Sequence, residues 1–148
     1  MANVPRLIPF VAEHLAWFVH RDSDYIESVQ SALDKERRGP AFTAVLDERV
    51  VGCSGIMLAW PGLGVAWATF SNELLVKYPI WVTRVTRSVL HTTMRVWKLH
   101  RVELVVLAGN ERNARWCETL GFVPEGGVAR CYTTSKHDVV RYELVEKD

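Results

Sequence analysis

Hydrophobic and polar residues alternate with two different periods along the chain, and each change of period marks a predicted element. Apolar residues three or four positions apart predict helices at Val11–His20, from Asp22 or Asp24 to Arg38, at Pro79–Leu99 and from Asn110 or Asn113 to Leu120. Runs rich in valine, leucine and aromatic residues predict strands at Arg6–Phe10, Phe42–Leu46, Val50–Ala59, Val65–Ser71, Val102–Leu107, Val128–Thr134 and Asp138–Val145.

The lengths of the connections constrain how these strands pair. The second, third and fourth strands are joined by short turns at 47–49 and 61–64, so they must run antiparallel. A long helix separates the fourth strand from the fifth, which predicts a right-handed crossover and a parallel pair. We therefore predict an α+β fold in a single domain over 1–148, with a mixed sheet of about seven strands flanked by about four helices.

The helix predicted at Pro79–Leu99 has two contrasting faces. Pro79 suits a first helical turn, where its missing N–H is no loss. Placing residues at 100° steps predicts one buried face and one basic face. The predicted buried face consists of Val82, Val85, Val89, Thr93, Val96 and Trp97. The basic face consists of Arg84, Arg87, His91, Arg95 and Lys98.

The most informative stretch is Asn110–Phe122, which directly follows the fifth predicted strand. Asn110 or Asn113 can cap a helix by accepting an early backbone N–H. Gly121 stands where a left-handed residue ends a helix, and Phe122 can fold back on the last turn. This strand, Asn-rich turn, short helix and Leu-Gly-Phe resemble the last helical unit of the GCN5-related N-acetyltransferases (the GNAT superfamily). The order of elements resembles that family over nearly the whole chain.

The resemblance implies that the fourth and fifth strands splay apart and that the pantetheine arm of acetyl-CoA lies between them. Unpaired strand amides would hold that arm as they would hold an added strand. It also implies cofactor contacts at Ser71, Asn110 and Asn113. Asn110 could equally be only a helix cap.

One segment departs from the family pattern. The family places the pyrophosphate of CoA on a glycine-containing loop before the long helix, whereas residues 72–78 contain no glycine. Arg84 and Arg87 could grip the phosphates instead, because guanidinium groups match phosphate oxygens. Alternatively, these arginines belong to a solvated helix face and CoA binding is weakened or lost. A small phage-encoded branch of GNAT-like proteins looks similar in this respect.

Two residues are candidates for catalysis. Glu73 follows the fourth strand, where the family often holds a carboxylate that deprotonates the amine through water; a pKa raised by burial would help it. Alternatively, Glu73 is an exposed loop residue with no catalytic role. Cys117 stands where many family members have a tyrosine that protonates the departing thiolate. Alternatively, Cys117 is a buried thiol with a structural role only.

The composition narrows the function classes. A formal net charge of +1 does not favour nucleic acid or anionic membranes as partners, and no apolar run could span a bilayer. The three cysteines and five histidines show no metal-ligand spacing, so we expect no metal and read the histidines as surface or locally hydrogen-bonded residues. Dispersed cysteines and the lack of a signal-peptide core predict a cytoplasmic location.

The resulting hypothesis is an N-acetyltransferase that uses acetyl-CoA and acts on an amine of a small molecule or a protein. The first alternative is a non-catalytic GNAT-fold binding or accessory protein of phage or prophage origin. The second is a nucleic-acid binder that uses the basic helix face. The sequence leaves the acceptor open, and also whether the protein is a monomer or a homodimer.

Overall fold

The computed structural model describes residues 4–15 and 29–146. The described helices are α1 (residues 12–15), α2 (Val29–Arg37), α3 (Asn72–Lys77), α4 (Pro79–Val96) and α5 (Glu111–Thr119). The strands are β1 (Arg6–Pro9), β2 (Ala41–Leu46), β3 (Arg49–Trp60), β4 (Leu63–Phe70), β5 (Arg101–Leu107), β6 (Val123–Ala129) and β7 (Val139–Val145). The rest of the helix predicted at Val11–His20, and the caps Asp22 and Asp24, lie outside the described residues.

The strands form one seven-stranded sheet in the order β1-β2-β3-β4-β5-β7-β6. The pairs β1–β2, β2–β3, β5–β7 and β6–β7 are antiparallel, whereas β4 and β5 are parallel. This confirms the predicted α+β class, the mixed sheet and the parallel pair. No described helix is both long enough and apolar enough to cross a membrane.

The chain divides into two compact units, the first of which comprises Met1–Ala59 and Ala66–Val85. Its apolar cluster contains Phe10, Leu15 and Cys53, with Trp67 of β4 packed against it. Phe10 meets the Trp67 ring edge-on at a centroid distance of 5.2 Å. Aromatic pairs with this geometry stabilise a fold beyond the burial of their surface. The contact therefore stabilises the packing of β4 against Phe10, the residue that follows β1.

The second unit comprises Trp60–Val65 and Thr86–Asp148. One face of β5 and β7 is buried through Val102, Val106 and Tyr142, whose exposed fractions are 0%, 2% and 6%. Cys117 and Phe122, from α5 and the residues after it, are each 2% exposed. Burial of these apolar side chains stabilises the second unit.

The parallel ladder between β4 and β5 is short. It comprises the pairs Leu63–Arg101, Gly64–Val102 and Val65–Glu103. β5 continues to Leu107 and stays paired with β7 over its whole length. The backbone groups of β5 beyond Glu103 that point away from β7 are therefore outside the ladder with β4. The family resemblance predicts such an early end to this pairing.

Helix α4 has the predicted basic face but only part of the predicted apolar one. Val82 and Thr93 are buried, whereas Val96 and Trp97 are 65% and 47% exposed, which corrects the prediction for these two residues. Leu90 and Met94 are buried in addition. The helix ends at Val96, three residues before the predicted end, so Val96 and Trp97 lie where the periodic face no longer applies.

Residues 72–77 form α3, a helix that the sequence analysis missed. Ser71 caps it by accepting a hydrogen bond from Leu74 N (3.1 Å), and Leu74 is fully buried. A serine followed by an acidic first turn is a helix-start signal. The helix is six residues long, too short to show a clear apolar period.

β6 begins earlier than predicted. The sequence predicts this strand at Val128–Thr134, but β6 spans Val123–Ala129. The register against β7 shifts between Pro124 and Val128, which marks a β-bulge. The proline and both glycines lie within this irregular part of the strand. β6 is the edge strand of the sheet, where a proline without an N–H and an irregular ladder are tolerated.

The end of α5 has the predicted glycine cap. Gly121 has a φ of +106°, its N–H donates to Glu118 O (3.0 Å), and Phe122 N–H donates to Cys117 O (3.1 Å). These two hydrogen bonds form a Schellman motif. They return the chain from α5 toward β6.

We predict that Gly121→Ala lowers the free energy of unfolding by about 1–2 kcal/mol, because an L-residue is strained at this positive φ. A β-carbon would meet Leu144 Cδ1 at 3.5 Å, an ordinary contact, so sterics add little. Urea denaturation measures the change. Gly127→Ala is the control, since its β-carbon would meet nothing within 4 Å. Equal stability of Gly121→Ala and wild type would contradict the assignment.

Candidate functional site

The chain turns sharply between the end of β5 and α5. Gly109 has a φ of +90°, and Asn110 N–H donates to Leu107 O (3.1 Å). Asn110 Oδ1 accepts a hydrogen bond from Asn113 N (3.1 Å), which confirms Asn110 as the N-cap of α5. Asn113 contributes its N–H to the cap. Both side chains belong to exposed residues at this turn, and their predicted cofactor contacts stay predictions.

Cys117 lies one turn further along α5 and is buried. Burial, and to a smaller extent the nearby Glu118 carboxylate, raise the pKa of its thiol to about 11. Its Sγ faces Asn113 Oδ1 at 4.0 Å. A thiol of such high pKa gives up its proton reluctantly to another thiolate, whose ordinary pKa is about 8.5. The burial and raised pKa favour the interpretation of Cys117 as a structural thiol, and its role as proton donor stays a prediction.

Ser71 and Glu73 belong to the start of α3. Ser71 is 5% exposed, and its hydroxyl is engaged in the helix cap described above. Glu73 accepts two hydrogen bonds from Arg49 Nη2, at 2.8 and 3.1 Å, and one from Lys77 Nζ at 3.2 Å.

The pKa of Glu73 is lowered, not raised as would help a general base. The hydrogen bond from Lys77 lowers the pKa of this carboxyl, and Arg49 lowers it further; burial opposes both. A carboxylate held in its charged form by two cations is a weak proton acceptor. The role of Glu73 as general base remains a prediction, but the ion pairs work against it.

Arg84 and Arg87 are both exposed on α4. Arg87 Nη2 donates to Thr119 O in the last turn of α5 at 2.9 Å. A guanidinium is well placed there because the last carbonyls of a helix lack intrahelical partners and carry a partial negative charge. Arg87 thus ties α5 to α4, and its remaining N–H groups are those left for a phosphate.

A cavity of about 360 Å³, which the sequence analysis missed, lies at the carboxyl end of β5. It is lined by Leu107, Ala108, Lys136, His137 and Asp138. The residues after β6 fold back onto the end of β5, as shown by the hydrogen bond from Ala108 N to Asp138 O (2.9 Å). No periodic pattern or spacing in the sequence signals this contact, because it joins residues thirty positions apart.

Metal-binding groups of three or more His, Cys, Asp or Glu side chains are absent from residues 4–15 and 29–146.

We predict that Glu73→Gln lowers the thermal midpoint at pH 7 and that this effect shrinks as the pH falls below the unfolded-state pKa. A lowered folded-state pKa stabilises the fold above the unfolded-state pKa of about 4.3, and this stabilisation is lost as the pH falls through the folded-state pKa. Calorimetric melting across pH measures it. Glu146→Gln is the control, because Glu146 is exposed and has no ion pair within the described part of the chain. Equal midpoints at pH 7 would contradict the observed ion pairs.

Comparisons with known proteins find likeness in structure but not in sequence. No protein-family model and no curated protein matches the sequence. Ard1 from Thermoplasma volcanium has a TM-score of 0.79 at 13% identity, covering 97% of this chain and 99% of that chain. The ribosomal-protein-S5-alanine acetyltransferase from Vibrio fischeri has a TM-score of 0.74 at 15% identity, covering 100% and 98%.

A mutant spermidine N-acetyltransferase from Vibrio cholerae has a TM-score of 0.70 at 14% identity, covering 96% of this chain and 94% of that chain. Similarity over whole chains at such low identity establishes architecture rather than activity. The described chain has the fold of the GCN5-related N-acetyltransferases.

Proposed function

We propose that the protein is an N-acetyltransferase that transfers the acetyl group of acetyl-CoA to a primary amine by direct attack. The observation that carries the proposal is the early end of the β4–β5 ladder, after which β5 runs on to the Asn110 turn. Backbone groups left outside a ladder need partners, and the two amides of a pantetheine arm can supply them. Ligands of sheets with parallel strands commonly bind at the carboxyl ends of those strands.

In the proposed reaction, the acceptor ammonium first loses a proton, because only the neutral amine has a lone pair to attack the thioester carbonyl carbon. A tetrahedral oxyanion forms, and a backbone N–H donor would stabilise it. The C–S bond then breaks, and the CoA thiolate takes up a proton. The protein's contribution is to position the amine and thioester and to carry these protons.

The acceptor class follows only coarsely from the structural neighbours. One neighbour is named for an alanine of a ribosomal protein and another for spermidine. Both acceptors carry primary amines, so we propose a primary amine on a small molecule or a protein as the acceptor. The proposed cofactor-binding residues are Ser71, Arg84, Arg87, Asn110 and Asn113.

A non-catalytic binding protein with this fold is the second candidate. The segment 72–78 lacks glycine and is largely occupied by α3, Arg87 is engaged with Thr119 O, and Cys117 has a raised pKa. These three features favour a protein that has lost catalysis. Such a protein would keep the architecture without acetyl transfer.

Isothermal titration with acetyl-CoA separates the two candidates. We expect binding to the wild-type protein and an affinity about tenfold lower for Arg87→Gln, because a charge-assisted hydrogen bond to phosphate contributes about 1.5 kcal/mol or more. Arg84→Gln tests the other arginine in the same way. Arg95→Gln is the matched control on the same helix, and we expect its affinity to stay within about twofold of wild type.

No heat and no thermal stabilisation at millimolar acetyl-CoA would contradict the transferase and leave the non-catalytic protein. Binding that no arginine substitution weakens would retain the transferase and overturn the arginine contacts.

A further inference from the structure

The cavity at the end of β5 contains a side chain that the family resemblance did not point to. Its lining combines two apolar residues of the β5 end, Leu107 and Ala108, with three consecutive titratable residues, Lys136, His137 and Asp138. Its volume of about 360 Å³ is within the range of small-molecule sites, and it is open to solvent, because all of its lining residues are exposed. Leu107 also accepts the backbone hydrogen bond of Asn110, so the cavity adjoins the turn that caps α5.

The segment that carries His137 is held by its own hydrogen bonds. His137 N–H donates to Thr133 Oγ1 at 2.9 Å, and His137 O accepts from Tyr132 N at 2.9 Å. Asp138 Oδ1 accepts from Cys131 N at 2.9 Å, and Asp138 O accepts from Ala108 N. These bonds fix the backbone of residues 137 and 138 against the end of β5, so that His137 stays at the cavity.

The three titratable residues differ in whether they can accept a proton from a ligand. The Asp138 carboxylate is engaged in holding Cys131 N–H, and the Lys136 ammonium has no lone pair to offer while protonated. The His137 imidazole makes no hydrogen bond or ion pair within residues 4–15 and 29–146. A neutral imidazole has one ring nitrogen that can accept a proton.

We propose that the cavity receives the acceptor amine and that His137 is the residue that removes its proton. This inference rests on the proposed acetyl transfer and assigns its general base. Glu73 is a poorer choice, because Arg49 and Lys77 already occupy its carboxylate oxygens. The Asp138 carboxylate is the one anion lining the cavity, and it would attract the acceptor ammonium before deprotonation.

The proton and bond changes balance as follows. One N–H bond of the acceptor ammonium breaks, and its proton bonds to an imidazole nitrogen of His137. The amine lone pair forms a C–N bond to the thioester carbon, and the C–S bond breaks with its electron pair going to sulfur. The second nitrogen proton is transferred to the thiolate through water, and the imidazolium returns its proton to solvent.

The test is chemical rescue of His137→Ala. Wild type and variant are assayed for CoA release with acetyl-CoA and three probe amines: benzylamine, spermidine and a peptide that begins with alanine. We expect kcat/KM of His137→Ala to be lower by at least about 100-fold, the usual contribution of a general base. Added imidazole should restore the rate in proportion to its neutral concentration, because the truncated side chain leaves room beside the cavity.

His91→Ala is the matched control. His91 is exposed on α4, and we expect it to keep kcat/KM within about twofold and to show no response to imidazole. The acetyl-CoA affinity and thermal midpoint of His137→Ala should equal those of wild type, because His137 is exposed and its backbone makes the anchoring bonds.

Retention of kcat/KM by His137→Ala within about threefold would overturn the assignment, as would a loss that imidazole does not rescue. Acetyl-CoA binding without acetylation of any probe amine by the wild type would also overturn it and leave the cofactor site intact. Failure of the wild type to bind acetyl-CoA would instead overturn the proposed function itself.

Discussion

The need of backbone groups for hydrogen-bond partners is the constraint on which the structure depends. In β5 this need is met by β7 along one side for all seven residues, but by β4 along the other side for only three. The chain then turns at Gly109 and enters α5 through the Asn110 cap. The end of β5 is consequently held by β7 on one side and unpaired with β4 on the other, an arrangement suited to binding an extended ligand that carries amides.

The fold was largely predictable because its strongest local signals agree with one another. Asn110, Gly121 and Phe122 each carry a specific backbone role, and the structure confirms all three roles. The elements that were missed have weak local signals. Helix α3 has only six residues, so its cap at Ser71 and the buried Leu74 decide its existence rather than a period. β6 contains Pro124 and two glycines, which the sequence presents as a turn and the sheet edge accommodates as a bulge.

The candidate site was predictable only in part. Helix capping by Asn110 follows from local sequence, so its position at the end of β5 could be predicted. The ion pair of Glu73 with Arg49 could not be predicted, since Arg49 lies 24 residues away. Together with Lys77, whose hydrogen bond has the larger effect, Arg49 lowers the pKa of Glu73, whereas a general base would favour a raised one. A buried Cys117 is one of the two interpretations that the sequence allows, and in the structure its burial raises the pKa of the thiol. His137 reaches the end of β5 through tertiary contacts, which no periodic pattern encodes.

The central claim is that β5 beyond Glu103 holds the pantetheine arm, and amide hydrogen exchange of residues 104–107 tests it most directly. In the presence of acetyl-CoA at 100 times its Kd, the amides pointing away from β7 should exchange about a hundredfold more slowly. The amides bonded to β7 that exchange through global unfolding should slow by no more than the same factor, because the bound ligand also stabilises the fold as a whole. Unchanged exchange of the first set, with protection appearing elsewhere or nowhere, would contradict the account.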